Sequence, residues 1–155
     1  MRILLDIDGV MVPASSWRQS DLLADGFAGF SSRAVANLQR IISETGAAIV
    51  LTTSHKANYS LAEWINIFSS RGITAKIEKL HHNSDNVSRK DEILNWLGGQ
   101  EDREDFVIID DDKSLNGLPA QIKKRLILTS PMVGLTEYEA SAAIAVLHSS
   151  GPIHA

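Results

Sequence analysis

Four short, almost uninterrupted apolar runs constrain the fold of this chain more strongly than any other feature. They cover residues 3–5, 47–51, 106–109 and 126–128, and a weaker run covers residues 73–77. Runs of this length, rich in leucine and β-branched residues, are typical of strands buried on both faces of a parallel sheet. We therefore expect about five parallel strands.

Segments with the apolar spacing of helices lie between these runs. This alternation predicts an α/β fold, a doubly wound, Rossmann-like parallel sheet whose ligands bind outside the carboxyl ends of the strands. The first predicted helix is capped by Ser32 and ends at Gly46, the second covers residues 61–68 and ends before Gly72, the third runs from near Ser88 to residues 98–99, and the last follows a capping box at residues 136–139 and ends near His148.

Length and composition limit the classes of protein that this chain can be. Its 155 residues, 44% hydrophobic and 22% charged, are expected to form a single domain over residues 1–148, followed by a flexible tail at 149–155. The absence of cysteine excludes disulfides, thiolate zinc sites and a cysteine nucleophile. The net charge of −4 gives no basic footprint for nucleic acid, and no apolar run reaches the ~20 residues of a membrane span. With no room for a signal peptide before the first run, we expect a cytoplasmic enzyme.

Acidic residues directly follow two of the predicted strands. Asp6 and Asp8 come after the first run, and Asp110, Asp111 and Asp112 come after the run at 106–109. The carboxyl ends of parallel strands meet at one edge of a sheet, so these like charges would repel unless a cation compensates them. Hard oxygen ligands suit Mg²⁺, which joins one or two carboxylates to a substrate phosphate. A role as solvated loop residues or helix caps explains a lone pair of aspartates better than two clusters that both follow strands.

Hydroxyl and basic residues follow two further elements. Residues 52–56, Thr-Thr-Ser-His-Lys, come after the second run, where hydroxyls and backbone N–H groups at a strand-to-helix turn can bind phosphate oxygens. Arg89 and Lys90 open the predicted third helix, where a cation would neutralise phosphate and steady a nucleophile. Taken singly, each segment is better explained by an ordinary helix cap or a solvated helix face.

These four segments, in this order, resemble the four motifs of the haloacid dehalogenase-like (HAD) superfamily, and the resemblance covers nearly the whole chain. The first and fourth motifs are the specific ones, whereas the second and third support the resemblance through their order and spacing. The matches are residues 6–10 (Asp-Ile-Asp-Gly-Val) for the first motif, Thr52 or Thr53 for the second, Lys90 or Arg89 for the third, and residues 110–111 for the fourth.

Within the superfamily, the chain resembles most closely the small HAD domains of the Swiss-army-knife RNA-repair group. Members of this group often carry an aromatic residue and an arginine where this chain has His55 and Lys56, so contacts to phosphate at this point depart from the pattern. The matching pieces are Leu-Asp-Ile-Asp-Gly-Val at the start, Leu-Thr-Thr-Ser-His-Lys in the middle, Asp-Glu-Ile-Leu-Asn-Trp-Leu, Ile-Asp-Asp-Asp, and Gly-Leu-Thr at residues 134–136.

The resemblance implies a magnesium-dependent phosphatase. Asp6 would attack phosphorus and form an aspartyl-phosphate that water hydrolyses, and Asp8 would protonate the leaving oxygen and then activate the water. HAD dehalogenases and phosphonatases lack the second acid, so Asp8 favours phosphate esters. The resemblance further implies that Mg²⁺ is held by Asp6, the Asp8 carbonyl, Asp110 and, through water, Asp111, that Thr52 or Thr53 binds a phosphoryl oxygen, and that Lys90 or Arg89 balances charge.

The gaps between the motifs are too short for the cap domains that many HAD enzymes insert. An open site suits a macromolecular substrate such as a nucleic-acid end, or a lid lent by a partner protein or a second copy of the chain, and a phosphorylated small molecule is the near-equal alternative. Trp17 is explained at least as well as an anchor of its own loop, and His81 and His82 are not expected to bind metal. Contacts to a chain-like substrate are expected from Trp17, Arg18, Lys56, Lys79 and Arg89.

Two other classes of protein compete with a phosphatase. A receiver domain also has clustered acids and an aspartyl-phosphate, but its phosphoacceptor follows the third strand, where this chain offers only Glu78 and Lys79. The second class is a non-catalytic HAD-fold module that binds phosphate or metal. The presence of both Asp6 and Asp8 counts against it.

Overall fold

The computed structural model describes residues 1–14, 23, 25–80, 88–98 and 105–149. Within these residues the strands are β1 (Arg2–Leu5), β2 (Ala48–Leu51), β3 (Ile77–Lys79), β4 (Phe106–Asp110) and β5 (Leu126–Leu128). All pairings are parallel, and the strands form one sheet in the order β3-β2-β1-β4-β5. The predicted α/β class, with a parallel sheet of about five strands, is confirmed.

The helices of the described segments lie between these strands, except the last, which follows β5. The four longest are the ones predicted from the sequence, three by apolar spacing and the last by its capping box, whereas α4 and the 3₁₀ turns are too short to show a helical period. Ser31, not Ser32, caps the first helix, and its side chain accepts a hydrogen bond from the Ala34 N–H at 3.1 Å. The helices are α1 (Ser32–Thr45), α2 (Leu61–Ser70), α3 (Arg89–Gly98), α4 (Ala120–Lys123) and α5 (Glu137–His148), with 3₁₀ turns at Lys56–Asn58 and Lys113–Gly117.

The third strand lies farther along the chain than the weak apolar run at 73–77 predicts. That run begins with Ile73, which belongs to the end of α2, because its N–H donates to the Phe68 carbonyl at 3.0 Å after Gly72 at φ 86°. This is a Schellman motif, in which an apolar residue after the glycine packs back onto the helix. The strand itself starts at Ile77.

Apolar side chains cover both faces of the sheet. Ile3 and Leu5 of β1 belong to a core that lies beneath α1, α2 and α5, whereas Leu4 belongs to a second core on the side of α3. Trp64 and Phe68 of α2 are fully buried in the first core. Because the central strands are buried on both faces, they lack polar alternation, and this is why they occur as continuous apolar runs in the sequence.

The strand order places the ligand crevice at the carboxyl ends of β1 and β4. The chain moves outward from β1 to β3 and then returns to β4 on the other side of β1, so the order reverses between β1 and β4. In doubly wound sheets, ligands bind where the strand order reverses. The order also differs from the flavodoxin-like order 2-1-3-4-5 of receiver domains, so the receiver interpretation does not fit.

The longest connection, residues 6–31 between β1 and α1, is described only in part. Apart from β3, the described residues between β1 and α1 and between α2 and α3 form no separate domain, in agreement with the predicted lack of a large cap. Trp17, Arg18, His81 and His82 lie outside the described residues, as do residues 150–155 of the predicted tail. No helix in the described part of the chain is long and apolar enough to cross a membrane.

Candidate active site

The ends of β1 and β4 bring two buried aspartates together. Leu5 pairs with Ile109 in the adjacent parallel strand, and the Asp6 N–H donates to the Ile109 carbonyl at 3.1 Å. Asp6, the first residue after β1, therefore lies beside Asp110, the last residue of β4. Only 3% of the Asp6 side chain and 0% of the Asp110 side chain are exposed.

Asp111 completes a cluster of three carboxylates. One oxygen from each of Asp6, Asp110 and Asp111 lies within 4.8 Å of the others. Gly9 makes room for this arrangement, because it has φ 80° and a Cβ built on it would lie 2.1 Å from Asp111 Oδ2. Any side chain at this position would displace Asp111 and strain the backbone. Gly9, which follows the second acid of the first motif, is therefore required for the position of Asp111 in the cluster.

Arg89 neutralises part of this charge. It is the first residue of α3, and its Nη1 lies 3.1 Å from Asp6 Oδ2 and 3.0 Å from Asp110 Oδ1. The side chain of Lys90 takes another direction, since its Nζ lies 3.6 Å from the position that a Cβ would occupy on Gly117. Of the two basic residues singled out in the sequence, Arg89 is the one that contacts the acid cluster.

Burial with incomplete neutralisation changes the titration of the two buried acids. Burial, reinforced by the charge of Asp110, raises the pKa of Asp6 to about 9, although Arg89 opposes the shift. Burial also raises the pKa of Asp110, again against the effect of Arg89. When ionised, the three carboxylates would exceed the single positive charge of Arg89, which contacts Asp6 and Asp110, and their oxygens are the hard donors that Mg²⁺ prefers. The residues therefore fit a divalent cation, which would keep the acids ionised at neutral pH.

Asp8 is not part of this cluster and contacts a histidine instead. Its side chain is 44% exposed, and its Oδ2 lies 2.8 Å from Nε2 of His55. The ring of His55 packs edge-on against Phe27, with the ring centroids 5.5 Å apart. His55 therefore holds a carboxyl group that would otherwise turn freely in solvent.

Thr52 carries a buried hydroxyl at the end of β2. Its N–H donates to the Leu5 carbonyl at 3.0 Å, so Thr52 follows β2 at the same edge where Asp6 follows β1. Its side chain is fully buried, and Oγ1 has no hydrogen-bond partner among the described residues. A buried hydroxyl without a partner costs about 1–3 kcal/mol, which a ligand oxygen would offset. Thr53 differs, because its Oγ1 accepts a hydrogen bond from the His55 N–H at 3.3 Å.

The sequence match to a known family agrees with this geometry. A family model described as the HAD domain in Swiss Army Knife RNA repair proteins matches residues 2–140. This chain belongs to that family. Comparisons with curated proteins and with solved structures found no match. Membership indicates a HAD-type hydrolase and confirms the resemblance carried by the four motifs.

Two lysines of this HAD domain that are expected to contact a substrate make internal contacts. Lys56 Nζ lies 3.0 Å from Glu92 Oε2, and only 3% of the Lys56 side chain is exposed. Lys79 Nζ donates to the carbonyls of Lys56 and Tyr59 at 3.2 Å and 3.0 Å. The expected contact of Lys56 with a chain-like substrate is wrong, because this side chain is buried against Glu92, whereas the Lys79 ammonium binds two carbonyls of the turn after β2. Arg89 is likewise engaged by the acids.

The contact between His55 and Asp8 is the feature of this HAD domain that sequence reasoning missed. In the sequence, His55 is notable only as a departure from the family pattern, and it lies 47 residues from Asp8. The sequence offers one indication of this contact. His55 lies in the turn after β2, at the carboxyl edge of the sheet where Asp8 also lies. That signal places the two residues in one region but does not predict their contact.

Proposed function

We propose that this HAD domain is a Mg²⁺-dependent phosphomonoester hydrolase that forms a phosphoryl-aspartate on Asp6. The observation that supports this most is the cluster of Asp6, Asp110 and Asp111 in contact with Arg89. The unpaired Thr52 hydroxyl at the end of the adjacent strand adds a donor for a phosphoryl oxygen. Phosphoryl transfer requires mainly positioning and charge neutralisation, and these residues supply both.

Asp6 acts as the nucleophile in this proposal. One of its carboxylate oxygens bonds to phosphorus while the bond between phosphorus and the ester oxygen breaks. Arg89, 3.1 Å from Asp6 Oδ2, orients that carboxylate and offsets the charge of the incoming phosphoryl group. When bound by Asp6, Asp110, the Asp8 carbonyl and, through water, Asp111, Mg²⁺ supplies neutralisation of the phosphoryl oxygens.

Asp8 acts first as an acid and then as a base. It gives a proton to the leaving oxygen in the first step, and in the second it takes a proton from the water that hydrolyses the aspartyl-phosphate. Its half-exposed side chain lies outside the buried cluster, which suits a group that must face both a substrate and water. The Thr52 hydroxyl donates to a phosphoryl oxygen in both steps.

The proposed substrate carries a terminal phosphate, on a nucleic-acid end or on a small molecule. The family description names RNA repair proteins, which favours the nucleic-acid end. The net charge of −4 and the internal contacts of Lys56 and Lys79 favour a small molecule, because they reduce the positive surface available to a long anionic chain.

The test compares Asp6→Asn with Asp112→Asn. Asp112 belongs to the same acidic run as the cluster, but it caps a 3₁₀ turn by accepting a hydrogen bond from the Ser114 N–H at 2.9 Å, and asparagine caps equally well. With Mg²⁺ and p-nitrophenyl phosphate, Asp6→Asn should lower kcat by about a thousandfold or more, whereas Asp112→Asn should remain active. EDTA should abolish turnover by the wild type.

Two results would contradict this assignment. One is wild-type turnover by Asp6→Asn, and the other is full turnover by metal-free protein. A non-catalytic module would instead bind Mg²⁺ and vanadate without any turnover by the wild type, so the same preparations separate the two functions.

A further inference from the structure

His55 makes a contact that the chemistry above does not use. Its Nε2 lies 2.8 Å from Asp8 Oδ2, although the two side chains are 36% and 44% exposed. An exposed aspartate can occupy several rotamers, whereas a general acid must lie within about 3 Å of the oxygen that it protonates. The efficiency of Asp8 as an acid therefore depends on whatever holds its carboxyl group.

The backbone and ring of His55 are themselves held in place. Its N–H donates to Thr53 Oγ1 at 3.3 Å, and its carbonyl accepts from the Asn58 N–H at 2.9 Å. The ring packs edge-on against Phe27, and the Phe27 carbonyl accepts a hydrogen bond from Arg71 Nη2 at 3.0 Å. Such packing and hydrogen bonding limit the rotamers of a side chain, so His55 can act as a fixed partner.

We propose that His55 is a positioning residue for Asp8. The imidazole of His55 binds Asp8 Oδ2 and thereby directs Asp8 Oδ1 towards the leaving oxygen. The inference rests on the phosphatase activity proposed above. In the first step the proton passes from Asp8 Oδ1 to the ester oxygen, as the bond from that oxygen to phosphorus breaks and an Asp6 oxygen bonds to phosphorus. His55 neither gains nor loses a proton in this step, and its contribution is the orientation of the carboxyl group.

Removal of a positioned acid should affect poor leaving groups most. The value of kcat/KM reports the steps up to departure of the leaving group, and phenyl phosphate and p-nitrophenyl phosphate have closely similar shapes. Nitrophenolate leaves readily without a proton, whereas phenolate does not. We expect His55→Leu to lower kcat/KM about tenfold or more for phenyl phosphate and less than about threefold for p-nitrophenyl phosphate. His55→Gln, whose amide can place an N–H near the position of Nε2, should restore much of the lost activity.

Tyr59→Leu is the matched control for the packing of the histidine ring. Tyr59 also packs edge-on against Phe27, with the centroids 5.7 Å apart, and against Trp64. Its loss should change kcat/KM by the same factor for the two esters. In an Asp8→Asn background, His55→Leu should cause no further loss with p-nitrophenyl phosphate, because a residue that acts only through Asp8 is not additive with it.

A second readout requires no turnover. In protein labelled with ¹⁵N-histidine, the ring signal that disappears in His55→Gln should shift in Asp8→Ala. An unchanged signal, or an equal fall of kcat/KM for both esters in His55→Leu, would overturn the positioning role. The phosphatase assignment would then still stand if Asp6→Asn is inactive. An inactive wild type would overturn the assignment, and the role of His55 would fall with it.

Discussion

Replacement of Asp6 by asparagine should stabilise the metal-free protein while it abolishes activity. Burial raises the pKa of Asp6 from its ordinary value of 3.8 to about 9 in the folded state. Between these two values the folded protein retains a proton that the unfolded chain releases. The free energy of unfolding contributed by Asp6 therefore falls as pH rises through this window and is constant above it. Asparagine cannot ionise, so the variant lacks this dependence.

The size of the effect at pH 7 follows from the distance between pH 7 and the ordinary pKa of an aspartate. At pH 7, about three units above the ordinary value of 3.8, the buried acid lowers the free energy of unfolding by about 4 kcal/mol, at about 1.4 kcal/mol per unit. The substituted amide is also buried, and burial of an unpaired amide costs about 1–3 kcal/mol. Arg89 keeps its contact with Asp110 in the variant. We therefore expect a net gain of about 2 kcal/mol, or a rise in Tm of roughly 4–8 °C for a domain of this size.

Chemical denaturation in EDTA, between about pH 5 and pH 8, measures this difference. The advantage of Asp6→Asn over the wild type should grow with pH, and Mg²⁺ should stabilise the wild type more than the variant, because the ion relieves the same repulsion. Asp112→Asn is the control for which we expect no gain in stability. The hydrogen bond with Ser114 lowers the pKa of Asp112, so its carboxylate stabilises the fold at neutral pH and its loss should not stabilise the protein. An Asp6→Asn variant less stable than the wild type at pH 7 in EDTA would refute the reasoning.

Two further predictions concern the metal and the substrate. Gly9→Ala should raise the Mg²⁺ concentration for half-maximal activity about tenfold or more, because its Cβ would meet Asp111 Oδ2 at 2.1 Å. Gly26→Ala, at φ 81° with no atom within 4 Å of its Cβ, carries the backbone strain without the collision, and equal Mg²⁺ requirements in the two variants would count against the explanation. If the substrate is a nucleic-acid end, kcat/KM should be higher for an oligonucleotide than for a mononucleotide with the same terminal phosphate and should fall as salt rises. Equal values at low salt would leave small phosphomonoesters as the substrate class.

The sheet and its acidic edge could be predicted because they depend on few rules. A strand buried on both faces must be apolar throughout, so β1 and β4 are visible as runs without any knowledge of their neighbours. Parallel strands end at one edge, so Asp6 and Asp110 follow as neighbours once β1 and β4 are recognised. The misplaced start of β3 has a local cause, since Ile73 is apolar for the sake of the helix end that precedes it.

The choice between adjacent residues could not be predicted, because it depends on where a helix begins. Successive helical residues point about 100° apart, so the start of α3 at Arg89 decides which side chain meets the acids. In the same way, the turn after β2 leaves the Thr52 hydroxyl unpaired and gives the Thr53 hydroxyl a backbone partner. Neither difference has a signature in the sequence.

The buried pair of Lys56 and Glu92 shows why charges near a site are hard to interpret from sequence. The sequence predicts that Lys56 contacts a chain-like substrate, yet its Nζ donates a hydrogen bond to Glu92, 36 residues away, and the side chain is buried. Glu92 lies three residues after Arg89 on α3, so the pair ties the turn after β2 to the first turn of that helix. Removal of either Lys56 or Glu92 would leave the charge of the other buried and unpaired, which is costly. It would also release the first turn of α3 from the turn after β2. Lys56 therefore bears on the site through the placement of the helix that carries Arg89, and not through a contact with the substrate.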